Sequence, residues 1–176
     1  VFDGQFSNRC YREAVKQAFT NFSEKAIAQG RFDPEMDIIM TEQWARIIMH
    51  LPYAFQAKRM FPDVFRHDRK HLQSWKAIED EIGVAPEESD FENLDDWDRE
   101  MDVHRRAISK TESFKQFVED RIEKGQRASS LIGNQYTGSI FLALMSTFEA
   151  DYEENANLDN VTCLLYTSPS PRDAHE

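Results

Sequence analysis

Arg46-Ile-Ile-Met-His50-Leu-Pro52-Tyr53 is the stretch whose reading decides the fold. Arg46 to Met49 is a short apolar run containing β-branched residues, bounded by a polar patch and a proline. That pattern predicts a buried strand ending at His50. Pro52 suits the first turn of a following helix, where its missing N–H costs nothing. A strand handing over to a helix is the unit of an α/β fold. It places His50 at the carboxyl edge of the sheet, where ligands collect. An imidazole there can donate a hydrogen bond to a carbonyl oxygen, or act as acid and base near neutral pH. From spacing alone, a histidine satisfied by local backbone groups competes with that role.

Upstream, Tyr11, Val15, Ala18, Phe19 and Phe22 recur at three- and four-residue spacing, predicting an amphipathic helix from about Asn8 to Gln29. Ser7 or Asn8 can cap its start, and Gly30 ends it. Phe32 to Trp44 reads equally as a short helical face or a buried strand edge. The helix begun at Pro52 carries Tyr53, Phe55, Met60, Phe61 and Phe65, with Pro62 expected to break or kink it. Arg66 to Ile82 reads as helical, Gly83 to Asp98 as an acidic loop, and Arg99 to Lys124 as one long helix stopped by Gly125. Arg127 to Tyr136 reads as a loop.

A second polar position lies near the end of that loop, in Gly133-Asn134-Gln-Tyr136-Thr-Gly-Ser139. The run from Ile140 to Phe148 is apolar nearly all round, so its helix is expected inside the protein, between layers. Thr137 or Ser139 can cap it. The Asn134 amide, just before a buried helix, can donate to an oxygen that gains charge during carbonyl addition. A turn asparagine tolerating positive φ is the competing reading. Cys10 falls inside the first amphipathic helix, with no glycine-rich turn or basic partner to make a thiolate, and reads as a packed structural cysteine.

The 176 residues make one domain's worth of chain, long enough for a sizeable core. Net charge is −11, which argues against nucleic-acid binding, since that rests on clustered Lys and Arg. Twelve acids and one base, Arg99, lie between Glu79 and Asp102, and read as a solvated surface or insertion rather than a metal site. No run approaches the roughly 18 apolar residues of a membrane span, and no signal peptide opens the chain. Two cysteines make no disulfide framework, so a cytoplasmic setting is expected. Val1 reads as an entry in mid-protein. Cys163-Leu-Leu-Tyr-Thr-Ser-Pro-Ser-Pro-Arg-Asp173 resembles the translation of a transposase-type sequencing adapter. Residues 163–176 are therefore expected to be non-native and to lie outside the fold, with a new strand starting near Thr162.

His50-Leu-Pro-Tyr53 resembles the His-x-Pro-Tyr/Phe motif of the hydroxymethylglutaryl-CoA synthase family, in the thiolase superfamily. Gly133-Asn-Gln-Tyr-Thr-Gly-Ser139 resembles its Gly-Asn-x-Tyr-Thr-x-Ser motif. Phe2-Asp-Gly-Gln-Phe-Ser-Asn-Arg-Cys-Tyr11 is similar to the Asp-Gly-x-x-Ser segment opening that family's second half. The likeness spans about residues 1–162, and three motifs in one order are far more specific than any single one. It implies an α/β, helix-rich, C-terminal-half fragment of a layered thiolase-like fold. It also implies condensation of acetyl-CoA with acetoacetyl-CoA through an acetylated cysteine, with a glutamate removing a proton from the acetyl group. CoA thioesters are the substrates, no cofactor is called for, and family members are homodimers.

The same resemblance assigns roles. His50 would hold the acetoacetyl carbonyl, Asn134 an acyl oxygen of the same substrate, and Tyr136 the pocket wall. Pro52 and Tyr53 would shape the turn fixing His50. Where the family carries a CoA-binding lysine this chain has Phe55, so phosphate contacts fall to Arg59 and Lys58. The cysteine and glutamate would lie before Val1 and a glycine-serine loop after Thr162, leaving this polypeptide inactive alone. Two other readings stand beside this one. One is another Cys-His-Asn condensing enzyme, a ketoacyl synthase or a carrier-protein-linked synthase. The other is a non-catalytic acidic helical interaction module, which leaves His50 and Asn134 as coincidences.

Overall fold

Ile47, Ile48 and Met49 are each at most 2% exposed, as a strand buried on both faces requires. They belong to β1, Arg46–Met49, which runs directly into His50. The computed structural model describes residues 4–33, 37–51, 55–133, 135–156 and 163–166. Within these, β1 is paired in parallel with β2, Cys163–Tyr166, in the register Arg46↔Cys163 to Met49↔Tyr166. Four residues expected outside the fold thus take part in it. An apolar Cys-Leu-Leu-Tyr run meets the open edge of β1, and pairing satisfies backbone groups that would otherwise be left bare.

Helices supply the rest: α1 (Gly4–Ala28), α2 (Gln56–Arg69), α3 (Trp75–Ile82), α4 (Leu94–Ile108), α5 (Glu112–Arg121), α6 (Glu123–Ile132) and α7 (Ser139–Glu153). α1 starts before Ser7 and Asn8, so neither caps it. It ends as expected, with Gly30 at φ +67° and Arg31 N–H donating back to the Ala26 carbonyl. Among the described residues of the ambiguous segment before β1, the regular element is a 3-10 turn, Met40–Gln43. Asp68 of α2 holds it, accepting from Met40 N–H at 2.9 Å, Thr41 N–H at 2.8 Å and the Thr41 hydroxyl at 2.6 Å.

α2 continues through Pro62 instead of breaking there. Met60, Phe61, Val64 and Phe65 flank the proline and are all buried, so packing compensates for the hydrogen bond that Pro62 cannot make. The expected helix from Arg66 onward is interrupted between Arg69 and Trp75. The expected long helix from Arg99 to Lys124 is three separate helices. Thr111 makes the first break: its side chain accepts from Phe114 N–H at 3.4 Å, capping α5. Asn93 caps α4 in the same way, accepting from Asp96 N–H, and Asp95 and Asp96 sit in that helix's first turn, where carboxylates complement the dipole.

Gly125 does not stop a helix; it is buried within α6, against α7. The Arg127–Ile132 portion of the expected loop is helical too. Aromatic rings of α2 and α5 form the core beside β1: Phe65 meets Phe114 edge-on, centroids 5.2 Å apart, and Phe61 stacks on Phe117 at 5.5 Å. Ion pairs tie the layers together. Arg105 of α4 holds Asp63 of α2 at 2.8 Å and Asp102 at 2.7 Å, while Arg12 of α1 reaches Asp98 at 3.2 Å. Asp151 of α7 accepts from Arg46 of β1 and from Lys124 of α6, pinning the start of the strand. Burial alone would raise the Asp151 carboxyl, but those two hydrogen-bonded cations outweigh it and hold it below its ordinary value.

α7 is not covered on all sides. Ala143, Ser146, Thr147 and Ala150 pack inward, while Phe141, Met145, Phe148 and Tyr152 are between 47% and 83% exposed. The described residues provide a layer on one side of this helix only.

Candidate active site

His50 stands where β1 ends, and two distant parts of the chain close on it. The Tyr11 hydroxyl of α1 donates to the His50 carbonyl at 3.0 Å. The Ser139 Oγ, at the first residue of α7, lies 2.6 Å from His50 Nδ1. The same Oγ accepts from the Leu51 backbone N–H at 3.2 Å. Ser139 is fully buried. These bonds span 39 and 89 residues of sequence. They join the segment ending at Tyr11, the histidine turn and the segment ending at Ser139.

Burial lowers the His50 imidazole below its ordinary value, so the ring is neutral at neutral pH. A neutral imidazole carries one proton and has one acceptor nitrogen. That suits hydrogen bonding to a carbonyl, whose oxygen gains charge when a carbon nucleophile adds to it.

Ser139 does not cap α7. Gly138 occupies the cap position, with no side-chain bond to the helix end, and the serine hydroxyl is turned to His50 and Leu51 instead. Thr137 does not cap it either; it lies in a 3-10 turn, Tyr136–Gly138. Two residues of positive φ bracket the approach to α7: Gly133 at +89°, which a glycine adopts freely, and Tyr136 at +50°. Positive φ is costly for a tyrosine; the Tyr136 carbonyl accepts from Ser139 N–H in closing the turn. The Tyr136 ring is 77% exposed, at the surface beside the start of α7. Asn134, Pro52 and Tyr53 lie outside the described residues.

Cys10 is exposed, which corrects the expectation of a packed cysteine. It sits one position off the Tyr11–Val15–Phe19 stripe that faces the core. Lys58 is on α2, with its ammonium 3.6 Å from Glu123 and 5.6 Å from the Phe55 ring centroid. Arg59, next to it, is exposed. A cleft of about 430 Å³ opens between the start of α2 and helices α6 and α7, lined by Phe55, Lys58, Glu123, Lys124, Gln126 and Arg127. Its cations face carboxylates: Lys124 bonds Asp151 and Glu154, and Arg127 bonds Glu153. Among the described residues, no cluster of His, Cys, Asp and Glu could hold a metal ion, and no helix is long and apolar enough to cross a membrane.

Sequence reasoning found His50 but missed two of its partners. Local spacing marks Tyr11 as an apolar helix position and Ser139 as a possible cap, and gives neither a bond to His50. Both stand within the motif stretches, and that placement was the available signal.

Comparison with known proteins gives the family and the fold. The family model described as hydroxymethylglutaryl-coenzyme A synthase C terminal matches residues 1–171. The hydroxymethylglutaryl-CoA synthase of Haloferax volcanii is 26% identical over 175 residues, covering 98% of this chain and 37% of that protein. The solved structure of MvaS in complex with 3-hydroxy-3-methylglutaryl coenzyme A shares the fold, with a TM-score of 0.55 and 24% identity. That match covers 86% of this chain and 30% of that one. The chain therefore spans about a third of the length of the relatives it matches.

Proposed function

The chain belongs to the hydroxymethylglutaryl-CoA synthase family, and from that premise we propose that it forms the acetoacetyl-CoA side of the active site. The reaction is condensation of acetyl-CoA with acetoacetyl-CoA to give 3-hydroxy-3-methylglutaryl-CoA, in the mevalonate route of the cytoplasm. The observation that carries this reading is the convergence of Tyr11 and Ser139 on His50. An acidic interaction module gives no reason for a neutral, half-buried histidine held from two sides.

In this reading the sequence before Val1 supplies the cysteine that accepts the acetyl group and the glutamate that takes its proton. Neutral His50 donates to the 3-keto oxygen of acetoacetyl-CoA, and that bond strengthens as the alkoxide forms. Asn134 binds an acyl oxygen, Tyr136 borders the entrance, and Pro52 and Tyr53 set the turn. Arg59 meets a CoA phosphate, with Lys58 contributing if it exchanges Glu123 for the ligand. The working protein is a homodimer. Residues 163–176 keep their proposed adapter origin, although part of that segment forms β2. Resequencing the locus with a different adapter tests this: persistence of Cys163–Glu176 overturns it.

Product formation tests the function. A complete polypeptide carrying this chain should make 3-hydroxy-3-methylglutaryl-CoA from the two thioesters, and the 176-residue chain alone should make none. Turnover only with carrier-protein thioesters would establish the carrier-linked synthase instead.

A further inference from the structure

We propose that Ser139 is a positioning residue that holds His50 in its Nε2-protonated form, aiming an N–H donor at the substrate oxygen. The inference rests on the reading of His50 as the donor to the acetoacetyl carbonyl, and it assigns the proton that this reading needs.

A serine hydroxyl has one hydrogen to give and two lone pairs to receive with. One lone pair of Ser139 Oγ is taken by the Leu51 backbone N–H at 3.2 Å, whose direction of donation is fixed because an amide nitrogen cannot accept. The second contact of the oxygen is His50 Nδ1 at 2.6 Å, the short separation of a strong hydrogen bond. Two arrangements satisfy that contact. If Nδ1 carried the proton, Ser139 would accept twice and its own hydrogen would need a third group. Ser139 is fully buried, and no third partner of its hydroxyl occurs among the described residues. An unsatisfied buried donor is costly. If Ser139 donates to a bare Nδ1, every group is satisfied and the ring proton sits on Nε2.

The backbone makes the arrangement stiff. Tyr11 holds the His50 carbonyl and Ser139 holds the next N–H, so the peptide after His50 is gripped on both polar groups. Among the described residues the ring is hydrogen-bonded by Ser139, on a helix fixed through Asp151 to the start of β1. A serine at the first turn of α7 thus does for the histidine what it does not do for its own helix.

The test is a long-range proton–nitrogen correlation spectrum of the intact chain with isotope-labelled histidine. It is recorded at about pH 7.5, above the ordinary imidazole value near 6.5. The His50 signals are assigned by their loss in His50→Gln. Bare and protonated ring nitrogens resonate far apart, so the spectrum reads the tautomer whether or not the chain is active. The expected result is a bare Nδ1 and a protonated Nε2. In Ser139→Ala both resonances should move toward the average of the two tautomers. Ser146→Ala is the control: it removes buried hydrogen bonds between α7 and α6, to Ala128 N–H and the Lys124 carbonyl, without touching His50. It should leave the His50 signals in place. A protonated Nδ1 in the unaltered chain, or unchanged signals in Ser139→Ala, overturns the proposal. In the complete synthase Ser139→Ala should slow condensation roughly tenfold to a hundredfold, part of the loss expected on removing a whole donor. Acetylation of the cysteine should survive. The assigned tautomer in an enzyme that makes no product would support the positioning role and overturn the functional reading alone.

Discussion

His50 is gripped through its carbonyl by Tyr11 and through its ring by Ser139, so its orientation is set by two helices that sequence order keeps far apart. The histidine itself was legible, because a β-branched run followed by His-x-Pro is a local pattern. Its partners were not, because a bond from residue 139 to residue 50 leaves no trace in local periodicity. Ser139 at a helix start looks like a cap until the fold brings Leu51 within its reach. The phosphate contact belongs to the residue scale as well. Lys58 is ion-paired with Glu123, and Arg59 beside it on α2 is exposed. In the complete enzyme Arg59→Ala should raise the KM for acetoacetyl-CoA about fivefold to tenfold, the range of a lost charge-assisted hydrogen bond. The KM for a truncated acetoacetyl thioester lacking the nucleotide should stay put. An equal rise for both thioesters would remove Arg59 from the phosphate site.

Among the elements, the contact of α6 with α7 decides how firmly Ser139 is presented. Gly125 makes that contact possible. A Cβ there would stand 3.3 Å from Thr147 Oγ1 and 3.6 Å from the Ala143 carbonyl oxygen. Thr147 Oγ1 is itself tied to that carbonyl at 2.8 Å, so it has little room to withdraw. Gly125→Val should therefore destabilise the chain by about 1–3 kcal/mol in urea unfolding, as overpacking does. An unchanged midpoint would mean the helices are not in close contact. Here the sequence misled, since glycine after a helical run reads as a stop when nothing shows that a second helix needs the space. The break at Thr111 is the opposite case. Threonine followed by Glu112 is a cap signal, but the continuous pattern of Phe114, Phe117 and Val118 hid it. Apolar spacing marks a buried face and says little about where one helix hands over to the next.

Taken as a whole molecule, the fold class was legible and the layering only half so. The strand ending at His50 came out as read, whereas the turn at Pro52 lies outside the described residues, and the family model spans the three motifs. The exposed row Phe141, Met145, Phe148 and Tyr152 shows that an all-apolar helix demands cover on every side, while the described residues give it one. Charge at this scale makes a pH prediction. Burial lowers His50, His67 and His104, and nearby Lys70, Lys16 and Arg66 reinforce the effect for the latter two. Carboxylates also face these rings, Asp68 at His67 and Asp63 and Glu79 at His104, and they only partly offset it. Each ring is neutral in the fold and takes up a proton more readily when unfolded. Their stabilising effect is full above about pH 6.5 and is lost as pH falls to and through the lowered folded values. The urea midpoint should drop between about pH 7 and pH 5, and His104→Gln should flatten part of that drop. A midpoint that rises on acidification would contradict the burial of these rings.

The most direct test of the central claim separates the two half-reactions in a complete synthase carrying His50→Ala. Labelled acetyl-CoA reports acetylation of the cysteine, and product formation against acetoacetyl-CoA concentration reports the second step. The account predicts that acetylation survives while the apparent KM for acetoacetyl-CoA rises, because His50 serves the second substrate. Loss of acetylation with unchanged affinity for acetoacetyl-CoA would contradict it.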